Sequence, residues 1–194
     1  MTGGRGRLSL ARAGVVAMAA MLSVPASASA GAQARGPITV VIVRHAEKAA
    51  APADDPPLTA EGQGRAQALF QAVRDARVGA IITTQLLRTR STAEPTATAL
   101  GIRPEVVTAG GATHAQDVAA AVRAHAGTTV LVVGHSNTVP AIIEALGAKR
   151  PAAICDSEYD NLFIVTIGAD GTAGVVRSSY GARSPPDPSC PGMR

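Results

Sequence analysis

Arg44 and His45 stand at the end of a β-favouring run, in the stretch VIVRHAEK. Three further polar sets follow similar runs: Thr83-Thr84 through Arg88 after VGAII, His114 beyond PEVVTA, and Gly134-His135-Ser136 after TTVLVV. Two arginines gathered in one place make an anion site. Guanidinium offers fixed, bidentate donors to phosphate oxygens and stays charged at any working pH. A histidine set among such cations is held neutral, because nearby positive charge disfavours imidazolium. Neutral imidazole is a nucleophile, and a phosphohistidine formed from it hydrolyses readily. A second histidine can donate to the phosphoryl group as its charge redistributes.

These residues meet only if the elements bring them together. ITVVIV (38–43) reads as a buried parallel strand, and LTAEGQGRAQALFQAVRDA as a helix capped by Thr59. VGAIITT is a second strand, and 86–100 a helix in which Pro95 predicts a bend or a late start. PEVVTA is a third strand, and THAQDVAAAVRAHAG a helix ending at Gly127. TTVLVV is a fourth strand, and TVPAIIEALG a helix with Pro140 in its first turn. Residues 161–180 form two strands joined by a hairpin signal at Asp170-Gly171. This alternation implies a single α/β domain of three layers, with a mainly parallel sheet flanked by helices. In such sheets ligands bind beyond the carboxyl ends of the strands, where Arg44, His45, Arg88, His114 and His135 would converge. The helix beginning near Asn137 aims its first amides at the same edge.

VRHAEK, LTAEGQGRAQAL, TTQLLRTRSTAEPTA and VVGHSNTVP together resemble the motifs of the histidine phosphatase superfamily, the phosphoglycerate-mutase-like fold. Within it the chain is most similar to the small RHAEK-type branch that contains phosphohistidine phosphatases. The resemblance covers about residues 38 to 167. It implies that His45 is the phosphate-accepting nucleophile, Arg44 its phosphate-binding neighbour, Arg88 a second clamp and His135 the second histidine. Ser136 is a further candidate phosphate contact. Two departures stand out. Ala46 replaces the glycine that usually follows the R-H pair, and TAGGATHAQD lacks the glutamate general acid of the larger, mutase-like members. His114 is the first candidate for that proton donor, followed by Asp117, Glu47, Asp54 and Asp55.

Other readings compete with these. His45, His114 and His135 could supply three nitrogens to zinc, but there is no H-E-x-x-H or C-x-x-C, and paired arginines repel a cation. A phospho-ligand-binding module with weak turnover is the alternative from a different class. Arg88 could instead pair on its own helix near Arg90 and Glu94. His125 sits where histidine suits a helix carboxyl terminus, Lys48 reads as solvated, and Glu158 or Asp160 could close over the site. The expectation is a metal-independent, cofactor-free phosphatase acting on a phosphorylated small molecule or phosphoprotein.

Composition bounds the partners. Aromatics are 2% of the 194 residues, too few to stack on single-stranded nucleic acid. Residues 1–30 read as a secretory signal: Arg5, Arg7 and Arg12, a short apolar run, then Ala28-Ser29-Ala30. The run is too short to anchor the chain in a bilayer. Removing it takes away three arginines and leaves 15 basic and 14 acidic side chains, a formal +1 instead of +4. The apparent basicity therefore points to no nucleic acid or membrane partner. The expected organisation is a signal at 1–30, a flexible leader at 31–37, a phosphatase domain at 38–180 and a tail at 181–194. Export, to the periplasm or the medium, permits a disulfide between Cys155 and Cys190 that would tether the tail.

Overall fold

The strands follow from runs of Val, Ile and Leu that alternate between two buried faces. The computed structural model describes residues 1–4, 36–185, 187, 188 and 190. Residues 5–30 of the signal segment lie outside the described residues, as does most of the leader. The chain divides between Gln33 and Ala34, and every described element belongs to the second unit. These are β1 (Ile38–Arg44), α1 (Ala60–Val73), β2 (Val78–Thr83), α2 (Leu87–Leu100), β3 (Glu105–Val106), α3 (His114–Ala124), β4 (Thr129–Gly134), α4 (Val139–Ala145), β5 (Asn161–Ile167) and β6 (Ala173–Ser179).

One sheet runs in the order β3-β2-β4-β1-β5-β6. β3, β2, β4 and β1 are mutually parallel, and β5 and β6 extend the sheet antiparallel. Because side chains alternate, Val40 and Ile42 enter one core while Val41 and Val43 enter the other. The first core is closed by Val118, Val122, Ile142 and Ile143 of α3 and α4. The second is closed by Leu69, Val73, Ala93 and Ala97 of α1 and α2. Both faces are covered, as a largely parallel sheet requires.

Local signals explain the boundaries. Thr59 caps α1, its hydroxyl accepting from Gly62 N at 3.1 Å. Gly101 ends α2 in the left-handed region, at φ 65°, where glycine carries no steric penalty. α2 starts at Leu87 and continues through Pro95, so the late start does not occur. β3 is two residues long rather than six. It lies at the sheet edge with Val106 half exposed, so its apolar residues have little to bury against. Among the described residues no helix is long and apolar enough to cross a membrane.

Candidate active site

β1 and β4 are parallel neighbours in a register that pairs Arg44 with Gly134. His45 and His135 therefore leave adjacent strands at the same level, and His45 N continues the ladder to Gly134 O at 2.9 Å. Their rings meet edge to face, centroids 5.3 Å apart. Both are buried, at 4% and 7% exposure.

The His45 ring is fixed in one tautomer. Its Nδ1 lies 2.8 Å from the Ala46 carbonyl, which can only accept, so Nδ1 carries the proton and Nε2 keeps its lone pair. Burial pushes the His45 pKa down to about 3 against the lesser opposing effect of that carbonyl, with Arg44, His135 and Arg88 lowering it further. Burial likewise takes His135 down to about 4, helped by Arg88, His114 and Arg44. At neutral pH both rings are uncharged. His135 Nε2 lies 3.2 Å from Thr84 Oγ1, which in turn is 2.9 Å from Thr89 Oγ1. Thr138 accepts from His135 N at 3.0 Å, fixing the turn into α4.

The two arginines are held differently. Arg44 Nη1 donates to the carbonyls of Cys155, Asp156 and Glu158 at 2.8–3.0 Å. Nη2 reaches Tyr159 Oη at 3.3 Å, and the guanidinium carbon sits 4.1 Å over the Tyr159 ring. The Asp156 carboxylate, 3.6 Å away and almost fully exposed, adds little. Arg88 occupies the first turn of α2. Asp55, from the loop before α1, accepts from Leu87 N at 2.8 and 3.1 Å and lies 3.8 Å from Arg88 Nη1. Arg88 thus answers to that loop and not to a partner on its own helix. The Nε atoms of both arginines are buried and bond to no protein atom. A buried cationic donor left unsatisfied is costly, and an anion seated between the guanidiniums would satisfy both.

His114 is the first residue of α3 and is buried. Its Nδ1 donates to Thr108 O at 3.0 Å, and its buried Nε2 has no partner. Ser136 is half-buried just beyond His135. The candidate acids scatter. Glu47 is held by Arg65, Asp117 accepts from Thr113 Oγ1 at 2.9 Å on an exposed turn, and Asp54 is exposed. Glu158 turns back to Cys155 N, His125 faces Glu105 on the surface, and Lys48 is exposed. For metals, the ring nitrogens of His45, His114 and His135 do not cluster. Among the described residues the one trio within 4.8 Å is Cys155, Glu158 and Cys190, and its sulfurs are already bonded to each other.

Two residues were missed by sequence reasoning. Tyr159 flanks Arg44 and lies 6.3 Å, ring to ring, from His45. Arg65 is buried and joins the loop after β1 to the tail. It contacts the Glu47 carboxylate at 2.7 Å and the carbonyls of Tyr180 and Ala182 at 3.2 and 2.9 Å. A visible signal existed for Arg65 alone, an arginine on the apolar stripe of α1 between Gly62 and Leu69.

The model of the histidine phosphatase superfamily (branch 1) matches residues 40–109, from β1 to just beyond β3. No curated protein matches the sequence. Among solved structures, a candidate phosphohistidine phosphatase, SixA from Nakamurella multipartitia, is similar at 28% identity and TM-score 0.53, over 76% of this chain and 97% of its own. A protein histidine phosphatase SixA, solved with tungstate, shares the fold at 20% identity and TM-score 0.57, over 73% and 96% of the two chains. YhfR of Bacillus stearothermophilus does so at 19% identity and TM-score 0.57, over 72% and 95%.

Proposed function

We propose, for a chain that belongs to the histidine phosphatase superfamily, that it hydrolyses phosphate monoesters or phosphoramidates through a phosphohistidine on His45. One observation carries this reading: a neutral imidazole, its Nδ1 proton committed to Ala46 O, offers the Nε2 lone pair beside two arginines with unsatisfied buried Nε donors. Nε2 attacks phosphorus as the bond to the leaving oxygen or nitrogen breaks. Arg44, Arg88 and His135 stabilise the phosphoryl oxygens, with Ser136 as a further contact. Water then attacks the phosphohistidine, the P–N bond breaks, and its electron pair returns to Nε2. No step calls for a metal or cofactor. His114 is the candidate proton donor, and because its neutral form presents a lone pair at Nε2 it can donate from that atom only when doubly protonated.

The substrate is a phosphorylated small molecule or a phosphoprotein. The SixA relative from Nakamurella multipartitia is named as a candidate phosphohistidine phosphatase, which favours a phosphoramidate as one natural substrate. Export rests on the signal-like residues 1–30 and on the Cys155–Cys190 disulfide. A phospho-ligand-binding module with weak turnover is the alternative, favoured by the scattered acids. The test is His45→Ala. Acid-labile phosphate should be trapped on the wild-type protein and absent from the variant, whose phosphatase activity should fall at least about a thousandfold. Turnover that survives in the variant would rule out the covalent route, and a wild-type protein that binds phosphate without hydrolysis would favour the binding module.

A further inference from the structure

Arg44 has five N–H donors, and their present partners determine which of them a ligand can use. Nη1 is committed to three carbonyls of the 155–158 turn and Nη2 approaches Tyr159 Oη, while Nε is buried and unpartnered. The face of the guanidinium rests on the Tyr159 ring. Its orientation is therefore set by residues 155–159, which belong to no helix or strand. The tail binds that turn through hydrogen bonds and a disulfide. Ser184 Oγ accepts from Tyr159 N at 2.8 Å and from Asp160 N at 3.2 Å. Ser157 Oγ donates to Asp187 at 2.9 Å, Tyr180 N donates to Asp160 O at 3.0 Å, and Cys155 is bonded to Cys190.

We infer that Tyr159, on a turn strapped down by the tail through the Cys155–Cys190 disulfide, is a positioning residue that aims the Nε edge of Arg44 at the phosphoryl group. The inference takes its ligand from the phosphatase reading. An arginine already fixed in its bound rotamer loses little freedom when phosphate arrives, so the strap raises affinity by preorganisation. The ring contributes by cation–π attraction to a desolvated guanidinium. Conditions that reduce the disulfide loosen the turn and weaken the site, which couples phosphate binding to the redox state of the surroundings.

The experiment compares oxidised wild type, wild type reduced with a phosphine, Tyr159→Leu, Tyr159→Phe and the Cys155→Ser/Cys190→Ser pair. Each is titrated with inorganic phosphate by calorimetry and assayed on p-nitrophenyl phosphate. Tyr159→Leu should bind phosphate about tenfold more weakly, and Tyr159→Phe, which keeps the ring, should recover most of that loss. The reduced protein and the double-serine variant should each lose about threefold or more. A purely structural role would lower melting temperatures and leave the phosphate affinity of the folded protein unchanged. Affinity within twofold of wild type in Tyr159→Leu overturns the inference, as does unchanged affinity in the reduced wild type should the leucine variant not fold. Wild type that binds phosphate but hydrolyses nothing overturns the phosphatase reading alone, because the binding arms still report on Arg44.

Discussion

At the scale of single residues, the site is a set of neutral and cationic groups with no dedicated acid. His114 illustrates the difficulty. With its Nδ1 proton given to Thr108 O, the neutral ring is an acceptor at Nε2 and has no proton there to give a leaving group. Glu47 is tied to Arg65, and both oxygens of Asp55 are turned to the amide of Leu87. General acid catalysis is typically worth about 10²–10⁴-fold, so leaving groups that need a proton should suffer by that order. The chemical step should therefore slow steeply as leaving-group pKa rises from aryl to alkyl phosphates, and His114→Ala should hardly change the slope. The check is log rate against leaving-group pKa for both proteins. A shallow wild-type slope that steepens in His114→Ala would identify His114 as the acid. The placement of Arg44, His45 and His135 was legible in the sequence because each ends or follows a strand, and parallel neighbours end at the same edge of the sheet. Tyr159 was not legible, since its partner Arg44 lies 115 residues away and nothing in SEYDNLF announces a cation above the ring.

Among the elements, α1 packs directly on the loop that follows His45. Gly62 faces the Glu47 backbone so closely that an added Cβ would run into the Glu47 carbonyl, while Thr59 N donates to that same oxygen at 3.0 Å. Two effects compete in Gly62→Ala. Helix propensity favours alanine by about 1 kcal/mol. Overpacking against backbone, which cannot swing aside like a long side chain, costs about 1–3 kcal/mol. The clash should win, with a net loss of stability in urea unfolding and a fall in activity as the loop carrying His45 shifts. Gly64→Ala is the control: it meets open space on the same helix and should stabilise by about 0.5–1 kcal/mol. A stabilised, fully active Gly62→Ala would mean the loop yields without consequence. The alternation of elements could be read because their apolar runs are buried on both faces. The length of β3 could not, because β-branched residues such as Val106 and Val107 look the same in sequence whether a strand lies in the middle of a sheet or at its edge.

For the molecule as a whole, the buried neutral histidines make folding depend on pH. In the unfolded chain a histidine titrates near 6.5. In the folded protein burial and the neighbouring arginines hold His45 at about 3 and His135 at about 4. Above pH 6.5 neither state binds these protons, and the stability is fully present. As pH falls below that value the unfolded chain takes up two protons that the native site refuses. Unfolding free energy should then drop by up to roughly 1.4 kcal/mol per pH unit for each histidine, until the native rings themselves protonate. Between pH 6.5 and 4.5 the two together cost on the order of 4 kcal/mol, a large share of the 5–15 kcal/mol typical of a domain. Carboxylates also titrate at the acid end of that window, so the comparison needs a variant. Urea unfolding across the window should show a steep decline in wild type and a much flatter one in His45→Gln/His135→Gln. Adding inorganic phosphate should restore stability, because an anion between the arginines binds only the folded state. Equal slopes for wild type and the double variant would mean that the native rings accept protons near their ordinary pKa, and that the site is wetter and less cationic than its geometry implies.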